Sequence, residues 1–140
     1  MILSRRQALA LGGAALTVSF VPVNFAVASE AGDAAIQAFT GGVAATEGGV
    51  DLTTPEIAEN GNTVPISVSA AGATSILIVA DGNPNPDVAT FHFGAMAEPT
   101  AATRIRLAGT QNVIAVAKMA DGSFKQSSHA VKVTIGGCGG

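Results

Sequence analysis

Residues 75–86 read SILIVADGNPNP, a nearly continuous apolar run that ends abruptly in six turn-forming residues. The Ile and Val side chains of the run favour an extended backbone. The Gly, Pro and Asn residues after it either fix the dihedral angle φ or tolerate positive φ. The stretch therefore predicts a strand followed by a rigid turn.

Segments on both sides of this run alternate apolar with polar or small residues, the pattern of strands that bury one face. They are residues 64–68, 89–93, 104–107 and 131–135. Pro65 interrupts the first of them, and proline cannot donate to a β-ladder, so we expect an edge strand or a bulge there. Asn112–Met119 is almost wholly apolar, and the Asp121-Gly122 pair after it is the strongest hairpin signal in the chain.

Six or seven short strands at this spacing predict an all-β fold. We expect an immunoglobulin-like antiparallel β-sandwich whose core spans residues 63–135, within a single domain, as the length of 140 residues suggests. Residues 29–62 are expected to form a short helix and a connector, with a short strand near Val50–Leu52.

The predicted helix covers Asp33–Thr40. Asp33 would be its N-cap, Ile36 and Phe39 would lie on one face, and Gly41-Gly42 would stop it.

Residues 1–28 have the order of a signal peptide. The Arg5-Arg6 pair precedes an apolar run, and Ala26-Val27-Ala28 suits signal peptidase, so cleavage is expected after Ala28. The run is short and glycine-interrupted for a membrane anchor. Paired arginines favour the twin-arginine route, although ordinary secretion stays open because Ala8 replaces the usual Phe. We expect a periplasmic protein without a stable membrane anchor.

The charge pattern argues against nucleic acid as a partner. Only 12% of residues are charged and the net charge is −3; loss of Arg5 and Arg6 with the signal would bring it to −5. The remaining basic residues are spread along the chain rather than clustered.

No constellation of catalytic or metal-ligating residues is evident, and we predict no cofactor, no metal and no enzymatic activity. His92 and His129 are the only histidines and are expected on sheet surfaces. A blue-copper site would need a His and a Met after the cysteine in the same loop, yet only glycines follow Cys138. Nucleophile-elbow, haem-attachment and phosphate-loop motifs are also missing from the sequence.

The carboxyl terminus carries the most informative residue. Cys138 is the single cysteine, and it stands between Gly136-Gly137 and Gly139-Gly140. Glycines leave the sulfur unshielded and the backbone free to bend, and five residues reach at most about 17 Å. Residues 136–140 are therefore interpreted as a flexible arm that presents a thiol. From these residues alone a functional thiol, a disulfide between two chains and an incidental cysteine all remain open.

Several motifs together resemble the SoxY family, the sulfur carriers of the thiosulfate-oxidising Sox system. They are residues 59–65, 80–86, 89–93, 103–107, 120–124 and 133–140. The resemblance implies an immunoglobulin-like fold, a heterodimer with a SoxZ-like β-sandwich subunit, and Cys138 as the covalent attachment site for sulfur. Its implied partners are a c-type haem enzyme that conjugates thiosulfate, a sulfate-releasing hydrolase and, in some systems, a molybdenum sulfane dehydrogenase.

Two other interpretations stay open. The terminal Gly-Gly could be converted to a thiocarboxylate, as in small β-grasp sulfur donors, although the export signal argues against it. Alternatively, the chain could be a structural or adhesive periplasmic sandwich with an incidental or disulfide-forming cysteine.

Overall fold

The computed structural model describes residues 27–134, with side chains from residue 30 onward. Within them one helix, α1 (Val27–Thr40), precedes nine strands. The strands are β1 (Thr46–Glu47), β2 (Asp51–Thr53), β3 (Ile57–Ala58), β4 (Val64–Ser69), β5 (Ala73–Ala80), β6 (Asp87–His92), β7 (Thr100–Ile105), β8 (Gln111–Met119) and β9 (Phe124–Val133).

The strands form two sheets that enclose the core. The larger sheet has the order β1-β9-β8-β5-β6, with β3 also paired to β9, and the smaller has the order β2-β4-β7. The long strands pair antiparallel, whereas β1 and β3 lie parallel to β9 at its two ends. Side chains of both sheets share one buried cluster, which includes Ile66, Ile78, Leu107 and Val131. The predicted β-sandwich is confirmed.

The apolar run that begins at Ser75 is explained by burial on both faces of β5. Ile76 and Ile78 belong to the cluster between the sheets, while Leu77 and Val79 belong to a second cluster on the other face. The helix α1 covers that face. The Phe39 ring packs edge-on against Phe124 with centroids 5.9 Å apart. The molecule therefore has three layers, in the order helix, large sheet, small sheet.

The helix begins earlier than the sequence predicted. It starts at Val27, so Asp33 lies inside the helix and is not its N-cap. Residues 27–33 contain no proline, and Glu30 in the first turn interacts favourably with the helix dipole. The predicted stop is confirmed, because Gly41 and Gly42 adopt φ values of 67° and 89°.

Pro65 lies in a central strand without a bulge, so the expectation of an edge strand or bulge was wrong. β4 lies between β2 and β7, and its pairing with β7 runs through Pro65 without a register shift. However, β2 pairs with β4 only from Ser67 to Ser69. Proline is tolerated because its position extends beyond the end of β2.

The hairpin predicted at Asp121-Gly122 joins β8 to β9. Met119 donates its amide to the Ser123 carbonyl at 2.8 Å, and the Gly122 amide donates to the Met119 carbonyl at 3.0 Å. Hydrogen bonds from the hydroxyl and amide of Ser123 lower the pKa of the Asp121 carboxyl. Gly122 has a φ of 86°, which supplies the left-handed residue that such connections need.

Replacing this glycine should therefore carry a purely conformational cost. A Cβ at Gly122 would meet nothing within 4 Å, so Gly122→Ala should lower the free energy of unfolding by about 1–2 kcal/mol through its left-handed backbone alone. Gly94 is the matched control, because its Cβ would also meet open space and its φ is not left-handed. Urea denaturation of Gly94→Ala should show no loss, and equal losses in both variants would contradict this account.

Candidate functional site at the end of the last strand

The last described residues, at the end of β9, form hydrogen bonds with neighbouring segments on both sides. On one side the amides of Lys132 and Thr134 donate to the carbonyls of Glu56 and Ala58, at 2.9 and 3.0 Å. On the other side the Val133 amide donates to the Thr110 hydroxyl at 3.0 Å, and that hydroxyl lies 3.4 Å from the Val133 carbonyl. The chain is thus anchored up to Thr134, four residues before Cys138.

This end of the sandwich also carries a network of hydrogen bonds centred on Asn83. The Asn83 side-chain amide donates to the Arg106 carbonyl at 2.7 Å. Its carbonyl oxygen accepts from the Ala108 amide and from the Gln111 side chain, each at 2.9 Å. One asparagine therefore ties the turn at residues 81–86 to the loop at residues 106–110.

Gln111 and Asp81 extend the same network. Gln111 is buried, and its side-chain oxygen accepts from the Gly82 amide at 2.9 Å. A Cβ at Gly82 would lie 2.9 Å from that of Gln111, so the close approach requires glycine. The Asp81 carboxylate accepts two hydrogen bonds from Asn112, at 2.9 and 3.0 Å. Among the described residues every buried side-chain polar atom has a hydrogen-bond partner.

Two of the surface cavities are lined in part by an exposed arginine. One of about 600 Å³ lies on the outer face of the small sheet and is lined by Thr53, Pro65, Ser67 and Arg104, among others. A smaller one of about 240 Å³ lies at the anchored end, lined by Asn83, Pro84, Asn85, Arg106 and Ala108. We call the smaller one the end cavity. Arg106 is exposed, so it adds a positive charge to the lining of the end cavity.

The two histidines lie on strands that are far apart in the large sheet, β6 and β9. His92 is exposed on β6, and His129 is exposed on β9 with its Nδ1 3.4 Å from the Thr54 hydroxyl. Three strand spacings, about 14 Å, separate β6 from β9, so the two rings cannot bind one ion. Among residues 27–134 no group of three His, Cys, Asp or Glu side chains could hold a metal.

The predicted site residues themselves lie outside the described residues. They are Cys138 and the four arm glycines, Gly136, Gly137, Gly139 and Gly140. Ile135, the last apolar position of the predicted alternation, is also outside. What the structure contributes is therefore the anchored start of the arm and the surface around it.

Comparison with known proteins now gives the family. The model of the family described as sulfur oxidation protein SoxY matches residues 34–138, which include Cys138. The chain belongs to the SoxY family. A search of the curated proteins finds no match.

One solved structure agrees with this assignment, and more distant ones share the fold. The sulfur carrier protein SoxY from Chlorobium limicola f thiosulfatophilum is 34% identical, with a TM-score of 0.70 over 77% of this chain and 96% of that one. Superoxide reductase (neelaredoxin) from Ignicoccus hospitalis is 17% identical, with a TM-score of 0.53 over 61% of this chain and 80% of that one. A putative superoxide reductase from Thermotoga maritima is 18% identical, with a TM-score of 0.52 over 69% and 91%. The last two share the fold alone.

Sequence reasoning missed the network and the end cavity. Asparagine in a Gly-Asn-Pro-Asn-Pro turn is expected to support the turn locally, whereas Asn83 bonds residues 23 to 28 positions away. Gln111 could have indicated this network, because a polar residue at the start of an apolar strand needs a hydrogen-bond partner when it is buried.

Proposed function

We propose that this chain is a sulfur carrier that binds thiosulfate-derived sulfur covalently on Cys138 and presents it to the enzymes of a Sox system. The observation that carries the proposal is the extent of the family match, which runs to Cys138 itself. The chain is proposed to be a substrate of its partner enzymes and not an enzyme. The structural or adhesive alternative has no comparable observation in its favour.

The proposed loading step is an oxidative conjugation. The Cys138 thiol and thiosulfate form a sulfur–sulfur bond, which gives a cysteine S-thiosulfonate, one proton and two electrons. A c-type haem enzyme takes the electrons. Hydrolysis by a second enzyme then adds water, releases sulfate and protons, and leaves a persulfide on Cys138. A molybdenum enzyme is a further candidate partner for oxidising that sulfane sulfur.

The anchoring of β9 supports a carrier role in physical terms. A carrier must move a thiol between active sites without unfolding its own body. The hydrogen bonds of Val133 and Thr134 fix the start of the arm, and the four glycines around Cys138 leave the arm the widest choice of backbone conformation. The hydrogen-bonded part of the chain thus ends four residues before the cysteine that is proposed to carry the sulfur.

Export and assembly are proposals as well. We propose that residues 1–28 direct the chain to the periplasm, by the twin-arginine route, and that a SoxZ-like sandwich pairs with it. Among the residues described, no helix is long and apolar enough to cross a membrane.

Mass spectrometry of the protein from thiosulfate-grown cells tests these points together. We expect a chain beginning at Ser29, an added mass on the peptide that contains Cys138, and loss of that mass on treatment with a thiol reductant. Native mass spectrometry should show a heterodimer. An adduct that resists the reductant and maps to the terminal carboxylate would instead support thiocarboxylate chemistry.

A further inference from the structure

The outer edge of β9 is only partly covered. β1 pairs with β9 at Lys125 and Gln126, and β3 pairs with it at Lys132 and Val133. Between these two contacts the chain leaves the large sheet to form β2 in the small one. Residues 127–131, which we call the edge gap, therefore have no strand beside them on this side among the described residues. The six residue steps from Gln126 to Lys132 measure about 20 Å.

Backbone groups of the edge gap point away from the sheet at Ser128 and Ala130. Along an antiparallel ladder the amide and carbonyl of one residue face the same side, and successive residues face opposite sides. The Lys132 amide donates outward to the Glu56 carbonyl at 2.9 Å, so the other even-numbered residues of β9 also face outward. Because residues 128–130 are exposed, the edge gap presents two donors and two acceptors at the surface.

A surface cavity of about 390 Å³ lies along the edge gap. It is lined by Thr54, Glu56, Ser128, His129 and Ala130. The wall opposite β9 comes from the segment before β3, in which Pro55 has no amide to donate. Glu56 is exposed and is the one carboxylate of this lining. The cavity therefore combines a short unpaired strand edge with a negative charge.

These features fit an extended peptide that carries a basic side chain. Exposed sheet edges bind extended segments through main-chain hydrogen bonds, and neighbouring side chains supply the selectivity. Three extended residues measure about 10 Å, so a segment of that length fits within the edge gap. The Glu56 carboxylate attracts a Lys or Arg side chain and repels anions such as thiosulfate.

The edge gap lies on the strand that leads to the arm. Four residue steps join Ala130 to Thr134 at the end of β9, and four more lead to Cys138. At about 3.3 Å per residue, these eight steps reach at most about 26 Å. A protein bound at the edge gap therefore has the thiol within reach of a recessed active site.

We propose that the edge gap is a docking site for an extended segment of the enzyme that conjugates thiosulfate to Cys138. The segment adds a short strand to β9, and one of its basic side chains pairs with Glu56. This inference rests on the proposed function, since it requires that enzyme. A contact on the folded body raises the effective concentration of the thiol at the active site of the enzyme.

The test measures loading of the mature carrier, purified in the assembly that cells form, by the purified c-type haem enzyme. Initial rates of haem reduction after addition of thiosulfate give kcat and the KM for the carrier, and intact mass verifies the adduct on Cys138. Ala130→Pro removes one outward donor of the edge gap, whereas the bonds of β9 to β8 use the odd-numbered residues.

Thr90→Pro is the matched control for the proline. The Phe93 amide donates to the Thr74 carbonyl at 2.9 Å, so by the same alternation the Thr90 amide faces outward from β6. β6 is the opposite edge of the large sheet, and Thr90 is exposed. Both substitutions therefore remove an outward amide from an edge strand, where proline is tolerated. Circular dichroism should show that both variants are folded.

Ala130→Pro should raise the KM for the carrier at least about fivefold, the effect of one lost hydrogen bond. It should leave kcat unchanged, because Cys138 is untouched, and Thr90→Pro should alter neither constant. Glu56→Gln tests the charge without altering the backbone and should raise KM about twofold to fivefold. Glu59→Gln is the same charge change outside the cavity lining and should have no effect.

Docking at the edge gap is wrong if a folded Ala130→Pro keeps the wild-type KM, or if either test variant behaves like its control. If Ala130→Pro loses a second subunit of the carrier, the edge gap belongs to that subunit and the proposal also fails. Should Ala130→Pro not fold, the comparison of Glu56→Gln with Glu59→Gln decides alone. A wild-type carrier that the enzyme leaves unloaded on Cys138 would reject the proposed function itself, and docking with it.

Discussion

Cells whose only copy of this chain carries Cys138→Ser are expected to lose thiosulfate-dependent respiration completely. The proposed intermediates are held by a sulfur–sulfur bond, and a serine hydroxyl cannot form it. No other cysteine exists in the chain to take over. The expected rate of thiosulfate-dependent oxygen uptake is that of a strain lacking the chain.

The folded body should be unaffected by this substitution. Both sheets, the helix and the buried clusters are built from residues 27–134, so the free energy of unfolding of Cys138→Ser should equal that of the wild type. Cys138→Ala should behave identically, which would show that the sulfur and not the size of the side chain matters. Respiration above the level of the deletion strain in either variant would reject the carrier role and favour a structural or adhesive protein.

The sandwich could be predicted because its long strands carry periodic signals. The alternation at residues 64–68 places Val64, Ile66 and Val68 in the core as expected. The Asp121-Gly122 pair predicted a tight hairpin, and β8 and β9 do pair on the two sides of this turn.

Other features of the fold depend on contacts distant in sequence. β1 and β3 have two residues each, too few for any periodicity, and they exist because the edge of β9 offers unpaired backbone groups. The run at β5 predicted burial but could not tell which layer covers its second face. That layer is α1, whose start the sequence placed six residues too late.

For the candidate site, the reactive residue could be predicted from the sequence, whereas its surroundings could not. Cys138 and its glycines were predicted from the sequence alone, because a lone cysteine between two glycine pairs is chemically distinctive, and they stay a prediction because they lie outside the described residues. Arg106 was indistinguishable from Arg104 in the sequence, since both alternate with apolar residues. Arg106 lines the end cavity because the turn at residues 81–86 lies against the loop at residues 106–110, a contact between segments distant in sequence.

The stability of the body is expected to depend most strongly on β5, and Ile78→Ala measures this. Ile78 is fully buried and lies between β8 and β6, opposite Ala115 and Ala89. Both neighbours are too small to fill the space that a shortened side chain leaves. The substitution should therefore lower the free energy of unfolding by about 2–5 kcal/mol, through lost burial and a residual cavity.

Ile57→Ala is the matched control, because it removes the same atoms from a side chain that is 58% exposed. Its effect should stay within about 0.5 kcal/mol, and its backbone pairing with Lys132 should persist. Guanidinium denaturation with a common slope gives both values from the midpoints. If Ile57→Ala were as damaging as Ile78→Ala, the contact of β3 with the end of β9 would contribute as much stability as the core. The anchor of the arm would then be a principal stabilising element and not a peripheral one.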